Sequence, residues 1–197
     1  MAPKASVLVV LDVQYGAIAG FPNADDYIRR LETTIKIARE AHVPIIYAKL
    51  GFSPGFSEVP ADKESMVWQK ELFTFKVNDP TAQVHPAVAP AETDHVINRT
   101  RLSAFAHTNL AITLRGLRVD EIVPAGLKTS EAVLATVMQA GDWDYRVTVL
   151  KDFCMDRDKE MHNLMVNRVL PRHATVCTQE EWVEDLLASS KGRDVSM

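Results

Sequence analysis

Short apolar runs rich in β-branched residues alternate along the chain with stretches of helical period, the mark of an α/β fold with a parallel sheet. The first run is "SVLVVLDV". "NADDYIRRLETTIKIAREAHV" follows, with Asn and Asp at capping positions and Ile28, Leu31, Ile35 and Ile37/Ala38 at helical spacing. "PIIYAKLGF" reads as the second strand. After a break the alternation resumes with "HVINRT" and "TNLAITLRGLRV", then "EIVPAGL" and "TSEAVLATVMQAGDW", then "YRVTVLKDF" and "KEMHNLMVNRVL", and last "ATVCT" and "EEWVEDLLASS". The break, from Ser53 to about Ala91, is punctuated by Pro54, Pro60, Pro80, Pro86 and Pro90, with "MVWQKELF" as a short helix inside it. So long an excursion from a compact domain suits a binding loop or lid.

Right-handed crossovers between such strands predict one domain over residues 1–197, a three-layer doubly wound sheet of about six parallel strands in the order 3-2-1-4-5-6. Ligands bind these sheets beyond the carboxyl ends of the strands where the winding reverses, here between the first strand and the fourth. Asp12 ends the first and Gly126 ends the fourth, so "LDVQ" and "IVPAGLKTSEAVLAT" should face each other across a crevice.

Composition narrows the partners. With 47% hydrophobic residues, a net charge of -4 and no block of like charges, the chain reads as a soluble globule with a small-molecule substrate, and not as a nucleic-acid or membrane-surface binder. The apolar run before Asp12, about five residues, is too short for a signal-peptide core or a membrane span, so a cytoplasmic protein is expected. Cys154 and Cys177 are too few for a disulfide framework and lack a C-x-x-C spacing, and read as small buried hydrophobes.

Several motifs can be set aside. "GFSPG", Gly51 to Gly55, is formally a G-x-S-x-G nucleophile elbow, but the residue after the serine is Pro54, which has no N–H to donate to an oxyanion. A tight turn that places Phe52 and Ser53 near the crevice fits better. His42, His85, His95, His107, His162 and His173 never fall at i, i+4, and neither G-x-G-x-x-G nor a Walker sequence occurs, so no metal or nucleotide cofactor is expected. What remains is polar residues at strand ends: Asp12 and Gln14, Asn98, Arg99 and Arg101, and the Lys128/Thr129 corner. A carboxylate behind "VLVVL" is costly to desolvate unless paired, and Arg99 is a candidate partner. The alternative is that Asp12 caps a loop or helix start.

Three features together, an Asp-x-Gln after strand one, a basic residue before an Ala-Phe, and a Gly-x-x-Thr corner opening a helix, resemble the isochorismatase-like hydrolases, the cysteine hydrolase superfamily. The likeness runs from about Ser6 to Trp182. It implies an Asp-Lys-Cys catalytic set, of which the aspartate position is Asp12, the lysine position is Arg99 and the cysteine position is Ala132. Without the thiol, the thioester route of the family's amidases is closed. The resemblance leaves open the chemistry of members without a cysteine, in which the aspartate moves a proton and water completes the reaction. It also implies a non-proline cis bond at Leu127-Lys128, with the corner's backbone serving as an oxyanion hole.

The catalytic candidates are therefore Asp12, Arg99 and Lys128, with Gln14, Phe52, Thr129 and Ala132 toward the substrate. Arg99 cannot act as a base, since guanidinium stays protonated, but it can clamp an anion. Lys128 is read as a solvated cation, a partner of Glu131, or a stand-in for the missing lysine. The leading reading is a hydrolase or lyase of this family without a thiol nucleophile, acting on a small anionic substrate with Asp12 as acid or base. The alternative is a degenerate member that binds a ligand or partner without turnover. A homo-oligomer is expected, as is common in the family.

Overall fold

A computed structural model describes residues 5–60 and 75–191. The strands are β1 (Ser6–Leu11), β2 (Ile45–Leu50), β3 (His95–Arg99), β4 (Glu121–Leu127), β5 (Arg146–Leu150), β6 (Cys154–Met155) and β7 (Thr175–Cys177). They form one sheet in the order β3-β2-β1-β4-β5-β7, with β6 off that path beside β4. All its pairings are parallel. The expected doubly wound order is thus observed, "ATVCT" taking the outer place as β7.

The difference lies at β6. β5 pairs with β4 only at Glu121 and Ile122, and the short β6 takes over alongside Gly126 and Leu127. Two residues are too few to show a period, so this strand has no signature in the sequence.

β1 sits in the middle of the sheet, and Val7 to Leu11 are at most 1% exposed. Burial on both faces explains why "VLVVL" is continuous rather than alternating, and each such side chain contributes roughly 1.5–3 kcal/mol relative to exposure. On one face Leu8 and Val10 pack with Leu31, Ile35 and Ala38 of α2 (Ala24–Glu40), which follows the single-turn α1 (Tyr15–Ile18). On the other, Val7, Val9 and Leu11 pack with Leu110 and Leu114 of α3 (Leu110–Gly116) and with Val137 and Ala140 of α4 (Leu134–Asp142).

α4 is entered through a π turn at Thr129–Val133, so the helix expected from Thr129 is irregular over its first turn. "KEMHNLMVNRVL" likewise divides into α5 (Lys159–Leu164), a π turn at Met165–Val169 and a 3-10 turn at Leu170–Arg172. The chain closes with α6 (Gln179–Lys191). Within the excursion, Pro80–Ala82 and Pro86–Val88 form 3-10 turns, each started by its proline, and "MVWQKELF" lies outside the described residues. No helix among the described residues is long and apolar enough to cross a membrane.

Candidate active site

The carboxyl ends of β1, β3 and β4 converge where the winding reverses. Leu11 lies opposite Gly126 in the β1–β4 register, so Asp12 leaves the sheet beside the corner. Its backbone has φ 55, a left-handed turn that ends the strand there. At Gly126 the two strands approach so closely that a Cβ would fall 2.0 Å from the Leu11 carbonyl oxygen, with φ +147. Only glycine fits such an approach.

Asp12 is 6% exposed, and its Oδ2 accepts a hydrogen bond from Nη2 of the still more buried Arg99, reaching across from the end of β3. The expected partnership is present. Arg99 Nη1 also donates to the Arg101 carbonyl, which fixes the guanidinium from its other side. Asp12 Oδ1 and Arg99 Nε are buried without a hydrogen-bond partner among the described residues. Burial pushes the Asp12 carboxyl above its ordinary value, and Arg99, then the Leu50 backbone N–H and, more weakly, Lys128 pull it back without cancelling the rise. Desolvation therefore outweighs the pairing with Arg99.

The remaining candidates separate by environment. Gln14 is fully buried. Its Nε2 donates to the carbonyls of Leu50 and Ala82, both at 2.8 Å, while Oε1 accepts from Leu50 N at 2.9 Å. Its amide thus ties the end of β2 and the Pro80–Ala82 turn to β1. Phe52 is also fully buried, tilted against Phe56 with ring centroids 5.5 Å apart in a cluster with Val59, Phe75 and Ala82. The neighbouring Ser53 forms the expected turn and not an elbow, its N–H and hydroxyl both donating to the Glu58 carboxylate.

At the corner the Leu127-Lys128 peptide bond is cis, as the resemblance implied. Lys128 Nζ lies 3.0 Å from both carboxylate oxygens of Glu131, the ion-pair option among those raised for it. Thr129 is fully buried and Ala132 nearly so, both inside the π turn.

Four residues stand out that the sequence did not single out for the site. His162 Nδ1 meets Thr129 Oγ1 at 2.8 Å, and Asp156 Oδ2 accepts from both Ser130 N and Ser130 Oγ, at 2.8 and 2.6 Å. Lys49 is 6% exposed and donates to the Ala82 carbonyl, with burial pushing its pKa down. Only Lys49 had a local signal, a cation inside the otherwise apolar "IIYAKL". Among the described residues no group of three or more His, Cys, Asp or Glu is placed to hold a metal ion. Cys154 is buried beside Gly126, donates to the Leu150 carbonyl, and is pushed by burial to a pKa of about 12.

With this geometry in place, the comparisons with known proteins are decisive for the family. Residues 6–181 match the isochorismatase domain. The chain belongs to the isochorismatase family. It is 30% identical over 185 residues to an uncharacterized isochorismatase family protein of Escherichia coli O157:H7, YecD, covering 90% of this chain and 94% of that one. A maleamate amidohydrolase of Pseudomonas putida is 24% identical over 155 residues, or 77% of this chain and 70% of its own. Among solved structures, a cysteine hydrolase from Pseudomonas syringae pv. phaseolicola superposes with a TM-score of 0.86 over 96% of this chain and 95% of that one, at 19% identity. That likeness speaks to the fold.

Proposed function

We propose that this isochorismatase-family hydrolase works without a thiol nucleophile, with Asp12 as the group that moves a proton to or from a small, anionic substrate. One observation carries the reading: Asp12 Oδ1 is buried at the reversal of winding with no hydrogen-bond partner among the described residues. A buried carboxyl oxygen left without a partner is costly, and a substrate proton or hydroxyl would relieve it. Burial also keeps the carboxyl above its ordinary pKa, the direction that general acid catalysis needs.

In this reading Arg99 holds Asp12 and clamps the substrate's negative charge, while the corner backbone steadies a developing oxyanion. Thr129 and Ala132 shape the corner, and Phe52 backs the wall beneath the excursion. Gln14 acts by holding the β2 end and the Pro80–Ala82 turn. Lys128 supplies positive potential toward Asp12. Ala132 stands where the family's thiol would be, and Cys154, protonated at neutral pH and bonded to the Leu150 carbonyl, offers no substitute. The active form is proposed to be a homo-oligomer that covers exposed apolar side chains such as Ile112 and Trp143.

The relatives named as amidohydrolases make amides and ureides reasonable members of a substrate panel, beside vinyl ethers, esters and lactones. Turnover of any of these that disappears in Asp12→Asn supports the proposal. The buried Asp12–Arg99 ion pair, in which each group already meets the other's charge, favours a second reading, a protein that binds without turnover. Ligand binding with no turnover anywhere on the panel would select it.

A further inference from the structure

The corner that carries Ala132 begins a helix, and a helix start leaves its first N–H groups without intrahelical acceptors. Lys128, at the N-cap position, makes no side-chain capping bond. The acceptor comes instead from residues far along the chain. Asp156, just after β6, takes both the N–H and the hydroxyl of Ser130 on Oδ2, and its Oδ1 accepts from Arg157 N at 2.8 Å. One turn into α5, His162 holds the hydroxyl of Thr129, a side chain with no exposed surface. Burial raises the Asp156 pKa, but hydrogen bonds from Ser130 and from the Arg157 and Asp158 backbone N–H groups outweigh it and hold the carboxyl below its ordinary value, while burial lowers the His162 pKa and Asp156 offsets that only in part.

We propose that Asp156 and His162 are positioning residues for the active-site corner, holding the 128–132 turn in shape from the side of β4 away from Asp12. Asp156 fixes the first turn as a capping carboxylate supplied from elsewhere in the chain, and the helix dipole favours its charge there. His162 fixes the rotamer of Thr129, and with it the backbone between the Leu127-Lys128 bond and Ala132. α5 and β6 thereby become part of the site's framework while remaining outside its chemistry. The proposal rests on the reading of this corner as the site facing Asp12, but its first test does not require a substrate.

That test is residue-resolved hydrogen exchange on the full-length protein, in wild type, Asp156→Ala, His162→Ala and His162→Asn. Loss of a cap implies about a tenfold drop in protection of the Ser130 and Glu131 amides in the two alanine variants, with β1 amides unchanged. His162→Asn, whose amide occupies the place of Nδ1, restores protection. On whichever panel substrate shows Asp12-dependent turnover, the alanine variants lower kcat with little change in KM, and the asparagine variant recovers it. Unchanged corner protection in both alanine variants overturns the proposal, as does lost protection with unchanged kcat. If the wild type turns nothing over, the proposed function fails while the exchange result still decides whether Asp156 and His162 hold the corner.

Discussion

Replacing Arg99 with methionine isolates the buried pair, because methionine keeps an unbranched apolar stem and removes the guanidinium, and the two side chains are only 2% and 9% exposed. Removing one partner of such a pair costs about 3–5 kcal/mol when the other must remain charged. Asp12 has an escape, since it can take a proton. Its folded pKa already lies above the ordinary 3.8 because burial outweighs the pull of Arg99, and removing Arg99 deletes the largest lowering influence. A carboxyl with a raised folded pKa carries no penalty below its unfolded pKa. Stability is then lost as pH rises toward the folded pKa, at up to about 1.4 kcal/mol per pH unit. The deficit of Arg99→Met relative to wild type should therefore be small near pH 4 and grow toward pH 8. There it should reach about 3 kcal/mol, or about 6–12 °C in Tm for a chain of this size. Thermal unfolding of wild type, Arg99→Met, Asp12→Asn and the double variant at several pH values measures this directly. An equal Tm deficit at both ends of the range, or the same pH slope when Asp12 is also asparagine, would refute the reasoning.

Gln14→Leu removes three hydrogen bonds that a fully buried amide makes to the Leu50 and Ala82 backbone, so urea unfolding should show a loss of about 2–4 kcal/mol. Gly126→Ala should yield little folded protein on expression, because its Cβ would sit 2.0 Å from the Leu11 carbonyl oxygen. The Lys128–Glu131 pair is 30% and 44% exposed and is worth less than about 1 kcal/mol, so Lys128→Ala should change Tm little. A fall in Asp12-dependent turnover in that variant would then report a role in the site. Iodoacetamide should label neither Cys154 nor Cys177 appreciably in the folded protein near pH 8, since burial pushes them to about 12 and about 11, and mass spectrometry reads the outcome.

The framework was legible because it follows from periodicity. "EIVPAGL" is β4 residue for residue, and Ile28, Leu31 and Ile35 all point into the core from α2. The pairing of Asp12 with Arg99 was legible too, since a carboxylate behind five buried side chains demands a partner. Other features depend on contacts that no local pattern encodes. Asp156 reaches Ser130 across 26 residues and His162 reaches Thr129 across 33, so neither has a sequence motif to announce it. The π turn at Thr129–Val133 was hidden because its residues keep a helical hydrophobic spacing. Gln14 sits beside Asp12 in sequence and invites a role toward the substrate, yet its amide is occupied by backbone groups of β2 and the Pro80–Ala82 turn. Sequence proximity to a reactive residue says which end of the sheet a side chain occupies, while its orientation is decided by packing.

In the proposed function Asp12 performs the chemistry and no thiol takes part. The most direct measurement is kcat/KM for the best substrate of the panel in wild type, iodoacetamide-treated wild type and Asp12→Asn. Full activity is expected after treatment, with a loss of about 10²–10⁴-fold in Asp12→Asn, the range for a general acid or base. Activity that survives in Asp12→Asn, or that alkylation abolishes, would contradict the proposed function.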